Sequence, residues 1–351
     1  MSLVPYWWVM EAALIIGIFA IVLLWVFRSI KRRKANPVIP PKTFLGRVGF
    51  TLLYVLRIFG VGLVTFIVIA FAVMIERNIY TFITETAPAP SKVSLPANVP
   101  FHLEDVKFEG GDGFKMSGWK VPSQNGVMII LLHGYGGNRI GMLWHAKQLV
   151  EAGYGVLLYD ERASGESEGT RRSYGWEDPR DVAGAIHFIE MGSTKGEERI
   201  GIGGCSIGAQ IALQSAAAYP ELEAVWADGP SSVRAEDLPR PKNLIMALLI
   251  VGNYSLDWLY ESQLHIAPAP MIETIGNIAP RPIMMVGGGT PQSFFGSEAE
   301  MMIPRYAQFA GSNAQTWIIP EAVHCDGPKH RPEEYARRMV EFFDTAFGII
   351  R

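Results

Sequence analysis

Cysteine is nearly absent from this sequence: Cys205 and Cys325 are the only two in 351 residues. Two cysteines cannot build a disulfide framework or a cysteine-rich zinc site. They read as two small apolar fillers near one site, or alternatively as a labile disulfide. Charge is also thin, at 19% of residues with a net charge of −3. With no basic globular face, nucleic acid is not the expected partner. No internal repeat is present, so solenoid and propeller architectures are not indicated.

Basic residues are missing before Tyr6, where a cleaved signal peptide would carry a positive region. From Tyr6 to Phe27 the chain is apolar apart from Glu11, long enough to cross a bilayer. A second such run extends from Phe50 to Ile75, broken only by Arg57. The expectation is a retained hairpin of two transmembrane helices over residues 1–83, with the lipid bilayer as partner. Snorkelling to the nearer interface accounts for Glu11 and Arg57. The loop between the runs holds Arg28, Lys31, Arg32, Arg33, Lys34, Lys42 and Arg47 and no acid. The positive-inside bias puts that loop in the cytoplasm and everything after Ile75 outside it. The expected location is thus a cell membrane crossed twice, with the bulk of the chain extracytoplasmic.

Residues 84–100 contain Pro88, Pro90, Pro96 and Pro100 among small polar residues, the composition of an extended, semi-rigid linker. From Phe101 onward strand-like and helix-like segments alternate. Val127–Leu132 and Tyr154–Tyr159 are continuous apolar runs, as expected of buried parallel strands. Asp178-Pro179 marks a helix start. Pro282–Val286, a helix near Glu298–Phe309, a strand over Thr316–Ile319 and a helix over Pro332–Phe347 complete the series. The expected fold class is α/β, a mostly parallel doubly wound sheet. Residues 231–279 interrupt the alternation. Their apolar stretch Asn243–Val251 reads as a small helical cap over the carboxyl edge of the sheet, or as ordinary helix packing.

One stretch carries chemistry. Arg199–Leu213 reads as a buried strand, then Gly204-Cys205-Ser206-Ile207-Gly208, then an apolar helix. A G-x-S-x-G turn between strand and helix holds its serine on a strained backbone with an exposed hydroxyl, and the helix N-terminus beyond it favours a developing negative charge. Ser206 is therefore the candidate nucleophile. Gly165-Glu166-Ser167-Glu168-Gly169 matches the same pattern but lacks the helix, and its flanking acids would oppose an alkoxide.

Four features together resemble the α/β-hydrolase superfamily from about residue 101 to 351. They are His133-Gly134 after the strand read as Val127–Leu132, Asp160-Glu-Arg162-Ala-Ser-Gly165-Glu-Ser167 after the one read as Tyr154–Tyr159, the Gly204–Gly208 elbow, and Ile318–His324 followed by the helix from Pro332. Ser167 then belongs to the second of these loops. The resemblance implies the order serine, acid, histidine along the chain. His324 is the expected base, ahead of His265 and His330, with His133 orienting its loop. Backbone N–H groups of Tyr135 and Ile207 are the expected oxyanion hole. The family most often places an aspartate after the strand read here as Pro282–Val286, yet residues 287–297 contain no acid. Glu298 is taken as the triad acid, Asp228 as the alternative, with Glu300 or no acid also open.

The resulting expectation is a membrane-anchored serine hydrolase acting on a small-molecule acyl substrate, a carboxylic ester or thioester, through an acyl-enzyme. No metal or organic cofactor is implied. A catalytically silent extracytoplasmic binding module, or an acyltransferase or peptidase using the same residues, are the alternatives.

Overall fold

The computed structural model describes residues 41–97, 99–192, 199–291 and 297–350, with a few isolated positions before residue 41. The chain divides into two units, Met1–Thr84 and Glu85–Arg351.

In the first unit the dominant element is helix α1, Phe44–Thr86, whose last two residues belong to the second unit. It carries an 18-residue window of mean hydropathy 2.8, none of it buried within the protein, and it is long and apolar enough to cross a membrane. It contains the expected second span, residues 50–75. The expected first span, residues 6–27, lies almost entirely outside the described residues.

The second unit is built on eight strands: β1 Glu104–Glu109, β2 Lys115–Val121, β3 Val127–Leu132, β4 Gly155–Tyr159, β5 Arg199–Cys205, β6 Leu222–Asp228, β7 Ile283–Gly288 and β8 Ala314–Ile319. Their spatial order is β8-β7-β6-β5-β3-β4-β2-β1. Among the described residues of this sheet, β2 pairs antiparallel with its two neighbours and the other pairings are parallel. The longer helices among the described residues are α2 Leu143–Glu151, α3 Pro179–Gly192, α4 Ile207–Ala218, α5 Leu244–Leu264, α6 Ile303–Ala310 and α7 Pro332–Phe347.

The apolar runs of the sequence explain the layering. Successive side chains of a strand point to opposite faces. In β3, Met128, Ile130 and Leu132 join a core with Val182 and Ile186 of α3, Ile211 of α4 and Tyr306 of α6. Val127, Ile129 and Leu131 join a second core with Leu149 of α2 and Met339 and Phe343 of α7. A strand covered on both sides has no polar face, and β3 is buried at all six positions.

Two expectations need correction. The Pro-rich segment is extended, but it is not a free spacer. Ala89–Pro90 pairs in parallel with Ser164–Gly165, Val93 is buried, and its N–H donates to Glu166 Oε1 at 3.2 Å. The helix expected near Glu298–Phe309 begins only at Ile303. Ser297, Glu298, Ala299 and Glu300 instead form a turn with positive φ at all four residues, a conformation uncommon for residues other than glycine.

Candidate active site

The elbow lies where β5 ends. Ser206 has φ 58° and ψ −119°, its N–H donates to Asp228 O at 2.7 Å, and α4 starts at the next residue. The sequence folds this way because two neighbours lack side chains. A Cβ on Gly204 would lie 2.4 Å from the carbonyl carbon of Gly208, and one on Gly208 would lie 2.5 Å from Leu132 O. No larger residue fits where strand, turn and helix pack this closely.

His324 arrives from the loop after β8. That loop is laced to the one after β7: Gly289 N–H donates to Ile319 O, Thr290 N–H to Ala322 O, and the Thr290 hydroxyl to Pro320 O. The Ser206 hydroxyl donates to His324 Nε2 at 2.9 Å. His324 Nδ1–H donates to Glu300 Oε1 on the far side of the ring. Gly229, with φ 62°, backs onto this ring; a Cβ there would sit 2.6 Å from His324 Cε1. The serine, histidine and acid side chains thus form one hydrogen-bonded chain across three loops at the carboxyl edge of the sheet.

The acid on His324 is Glu300, not Glu298. Glu298 points outward, where its side chain is 76% exposed and its carboxylate pairs with Lys242 Nζ at 2.6 Å. Glu300 is buried, and its second oxygen accepts from Gly288 N–H at 2.6 Å. The left-handed turn sends these two neighbours in opposite directions. Gly287, in the acid-free stretch 287–297, makes room for this acid: a Cβ there would meet the Glu300 side chain at 2.7 Å. Asp228, the alternative, is also engaged elsewhere. Its Oδ2 accepts from Tyr335 OH at 2.8 Å, and Trp226 Nε1–H donates to the same hydroxyl. Burial raises the Asp228 pKa to about 7, with Tyr335 opposing and the Glu300 charge assisting.

For His324, burial acts to lower the pKa. The hydrogen bond and charge of Glu300, with a contribution from Asp228, outweigh it, and the pKa stands above the ordinary 6.5. A carboxylate on Nδ1 favours the imidazolium that proton abstraction at Nε2 creates.

Tyr135 and Ile207 line one small cavity of about 10 Å³. Ile207 is the first residue of α4, where backbone N–H groups have no partner within the helix. The Tyr135 loop is braced in a way sequence reasoning missed. Arg172 stacks on the Tyr135 ring at 4.3 Å and donates from Nη2 to its hydroxyl at 3.0 Å. The backbone N–H and Nε of Arg172 donate to the carbonyls of Thr86 and Ala87. No local pattern around Arg172 announces this role.

His133 has the orienting position expected of it. Its Nδ1–H donates to Gly134 O at 2.8 Å and its Nε2 accepts from Glu161 N–H at 3.0 Å, so the ring is neutral, and burial lowers its pKa. The decoy Ser167 is consumed by structure: its hydroxyl donates to Asp160 O and accepts from Ser117 N–H.

Cys205 and Cys325 form a disulfide with Cα atoms 6.1 Å apart, the less favoured of the two sequence readings. One half directly precedes Ser206 and the other directly follows His324. The bridge therefore clamps the elbow to the histidine loop. Among the described residues no cluster of side chains suited to a metal ion occurs.

A mostly parallel sheet with a serine on a strained strand-to-helix turn, facing a histidine from the loop after the last strand, is the architecture of an α/β hydrolase. The sequence model of the X-Pro dipeptidyl-peptidase (S15 family) matches residues 73–268, more than half of the chain, and the chain belongs to that family. The matched stretch contains Ser206 and stops before Glu300 and His324. Among curated relatives, YfhR of Escherichia coli O157:H7 is 26% identical over 264 residues, covering 71% of this chain and 83% of YfhR. The thiohydrolase apmlB of Arthrinium phaeospermum is 30% identical over 135 residues, 37% of this chain and 44% of its own. The esterase Pf2001 of Pyrococcus furiosus superposes with a TM-score of 0.59 at 22% identity, over 74% of this chain and 98% of the esterase. That last likeness is one of fold alone.

Proposed function

We propose that this α/β hydrolase is a membrane-anchored serine hydrolase that cleaves a carboxylic ester or thioester through an acyl-enzyme. The observation that carries the reading is the hydrogen-bonded chain from Ser206 through His324 to Glu300. A serine hydroxyl is a weak nucleophile until a base takes its proton. His324 Nε2 removes that proton as Ser206 Oγ attacks the substrate carbonyl, and Glu300 holds the imidazolium. The N–H groups of Ile207 and Tyr135 receive the tetrahedral oxyanion. Collapse breaks the bond to the alcohol or thiol, which leaves with the proton from His324. Water, deprotonated by the same imidazole, attacks the acyl-enzyme, releasing the acid and restoring Ser206.

The anchor is α1, with residues 6–27 as the partner span. The unit from Glu85 onward lies outside the cytoplasm. The basic, acid-free loop 28–47 supports this orientation, and so does the Cys205–Cys325 bridge, since structural disulfides persist in oxidising compartments.

Membership of the S15 family supports a second reading, hydrolysis of an amide after proline by the same residues. Both readings meet one experiment. Full-length protein in detergent is treated with a fluorophosphonate probe, then assayed against p-nitrophenyl esters, an acyl thioester and an X-Pro-p-nitroanilide. Labelling at Ser206 with ester or thioester turnover is expected. Anilide turnover alone replaces the esterase reading with the peptidase one. Labelling that persists in Ser206→Ala, or no turnover of any substrate, overturns the mechanism.

A further inference from the structure

We propose that the outward face of α5 is a docking surface for the phospholipid bilayer that α1 is proposed to cross. The inference rests on that anchoring and adds a second, peripheral contact made by the hydrolase unit itself.

Leu244, Leu248, Val251 and Trp258 recur at the three- and four-residue spacing of one helix face, and all are exposed, Leu244 to 75% and Trp258 to 69%. Leu249 beside them is 60% exposed. No charged residue occurs from Asn243 to Leu256. The other side of α5 is already fastened. Asp257 accepts from Ala235 N–H and pairs with Arg234. Tyr260 is buried and stacks on Trp176 at 5.2 Å. The outward apolar side is therefore not needed to hold the helix in place. An apolar patch of this extent on a folded unit marks an interaction surface.

Three observations select lipid as the occupant. First, Tyr260 OH donates to the Glu85 carboxylate at 2.7 Å, so α5 is fastened to the first residue of its unit. Glu85 follows Ile75, the end of the uncharged run, by ten positions. Since α1 is helical through Thr86, that point lies about 15 Å along the helix from the run's end, at about 1.5 Å per residue. Second, Arg240 and Lys242, which also pairs with Glu298, precede the helix, where long basic side chains can reach the phosphate oxygens that every phospholipid carries. Third, an exposed Trp at the far end of the stripe matches the preference of that ring for the membrane interface. A charge-free apolar face with a basic flank is the pattern of a helix lying in the interfacial plane.

The test uses the full chain in nanodiscs containing a photoactivatable phospholipid, with cross-linked peptides mapped by mass spectrometry. Lipid adducts are expected both in residues 50–75 and in residues 243–261. Leu248→Glu with Leu249→Glu should reduce the second set at least tenfold and leave the first unchanged; both side chains are exposed, and an unchanged thermal melt verifies the fold. Adducts confined to residues 50–75 overturn the docking surface while anchoring stands. Adducts in neither segment overturn both. Cross-links from residues 243–261 to a second copy of the chain, or to another protein, in place of lipid assign the face to a protein partner and also overturn the proposal.

Discussion

The elbow after β5 and the acid-bearing turn after β7 supply adjacent parts of one hydrogen-bonded chain, yet they are specified in opposite ways. At the elbow, position is set by what cannot fit: Gly204 and Gly208 are the only residue type tolerated, and Ser206 has one place to be. At the turn, position is set by reach: a glutamate two residues further along than the expected one swings inward through a left-handed stretch of backbone. Steric necessity leaves a compact motif in sequence. Reach leaves almost none, because any carboxylate on a long enough arm satisfies it.

The hardest blow to this contrast is the largest expected effect. Ser206→Ala should lower kcat about 10⁶-fold, because removing the nucleophile alone costs as much as removing the whole triad. Residual activity near wild type would mean that the elbow is not the reacting centre. Glu300→Gln comes next, with kcat about 10⁴-fold lower. It should also move the acidic limb of kcat/KM. Glu300 holds the His324 pKa above 6.5, and the base works only when deprotonated, so activity rises as pH rises through that pKa. Removing the carboxylate lowers the pKa and shifts the limb to lower pH. A pH–rate profile between about pH 5 and 9 reads this, and an unmoved limb would show that another group sets it. A smaller loss, about 10- to 100-fold, is expected when Cys205→Ala and Cys325→Ala unfasten the elbow from the histidine loop, since a misplacement of about 1 Å is enough for that. Active-site titration with the fluorophosphonate probe separates slowed reaction from lost protein. Glu298→Gln should change kcat less than about twofold, as expected of a surface substitution. A loss there matching that of Glu300→Gln would reverse the order of the two acids.

Most of the fold was legible because burial on both faces leaves continuous apolar runs such as Val127–Leu132, and these need no knowledge of partners. Ser206, His324 and the sparing of Ser167 came from the same logic of strand end and turn. The acid did not. Residues 298–309 have the composition of a helix, and a helix start would present Glu298 first. Only the turn geometry, invisible to periodicity, brings in Glu300, although Gly287 leaves the space that its side chain fills. The pairing of Cys205 with Cys325 was only the second reading for another reason: 120 positions separate them, and adjacency arises only once the ends of β5 and β8 meet at the same edge of the sheet. Prolines at 88, 90 and 96 described an extended backbone correctly, but composition cannot tell a strand that docks from one that dangles.

That docking decides where the hydrolase unit can be separated from the helix that precedes it. The carbonyls of Thr86 and Ala87 receive Arg172, which in turn steadies Tyr135, and Glu85 receives Tyr260. A trimmed version starting at Phe101 would discard all three of those acceptors along with the Ala89–Pro90 pairing. One starting just ahead of Glu85 keeps them, and should be the faster and more heat-resistant of the two excised proteins. The short piece of chain that looks like packaging is part of the machine.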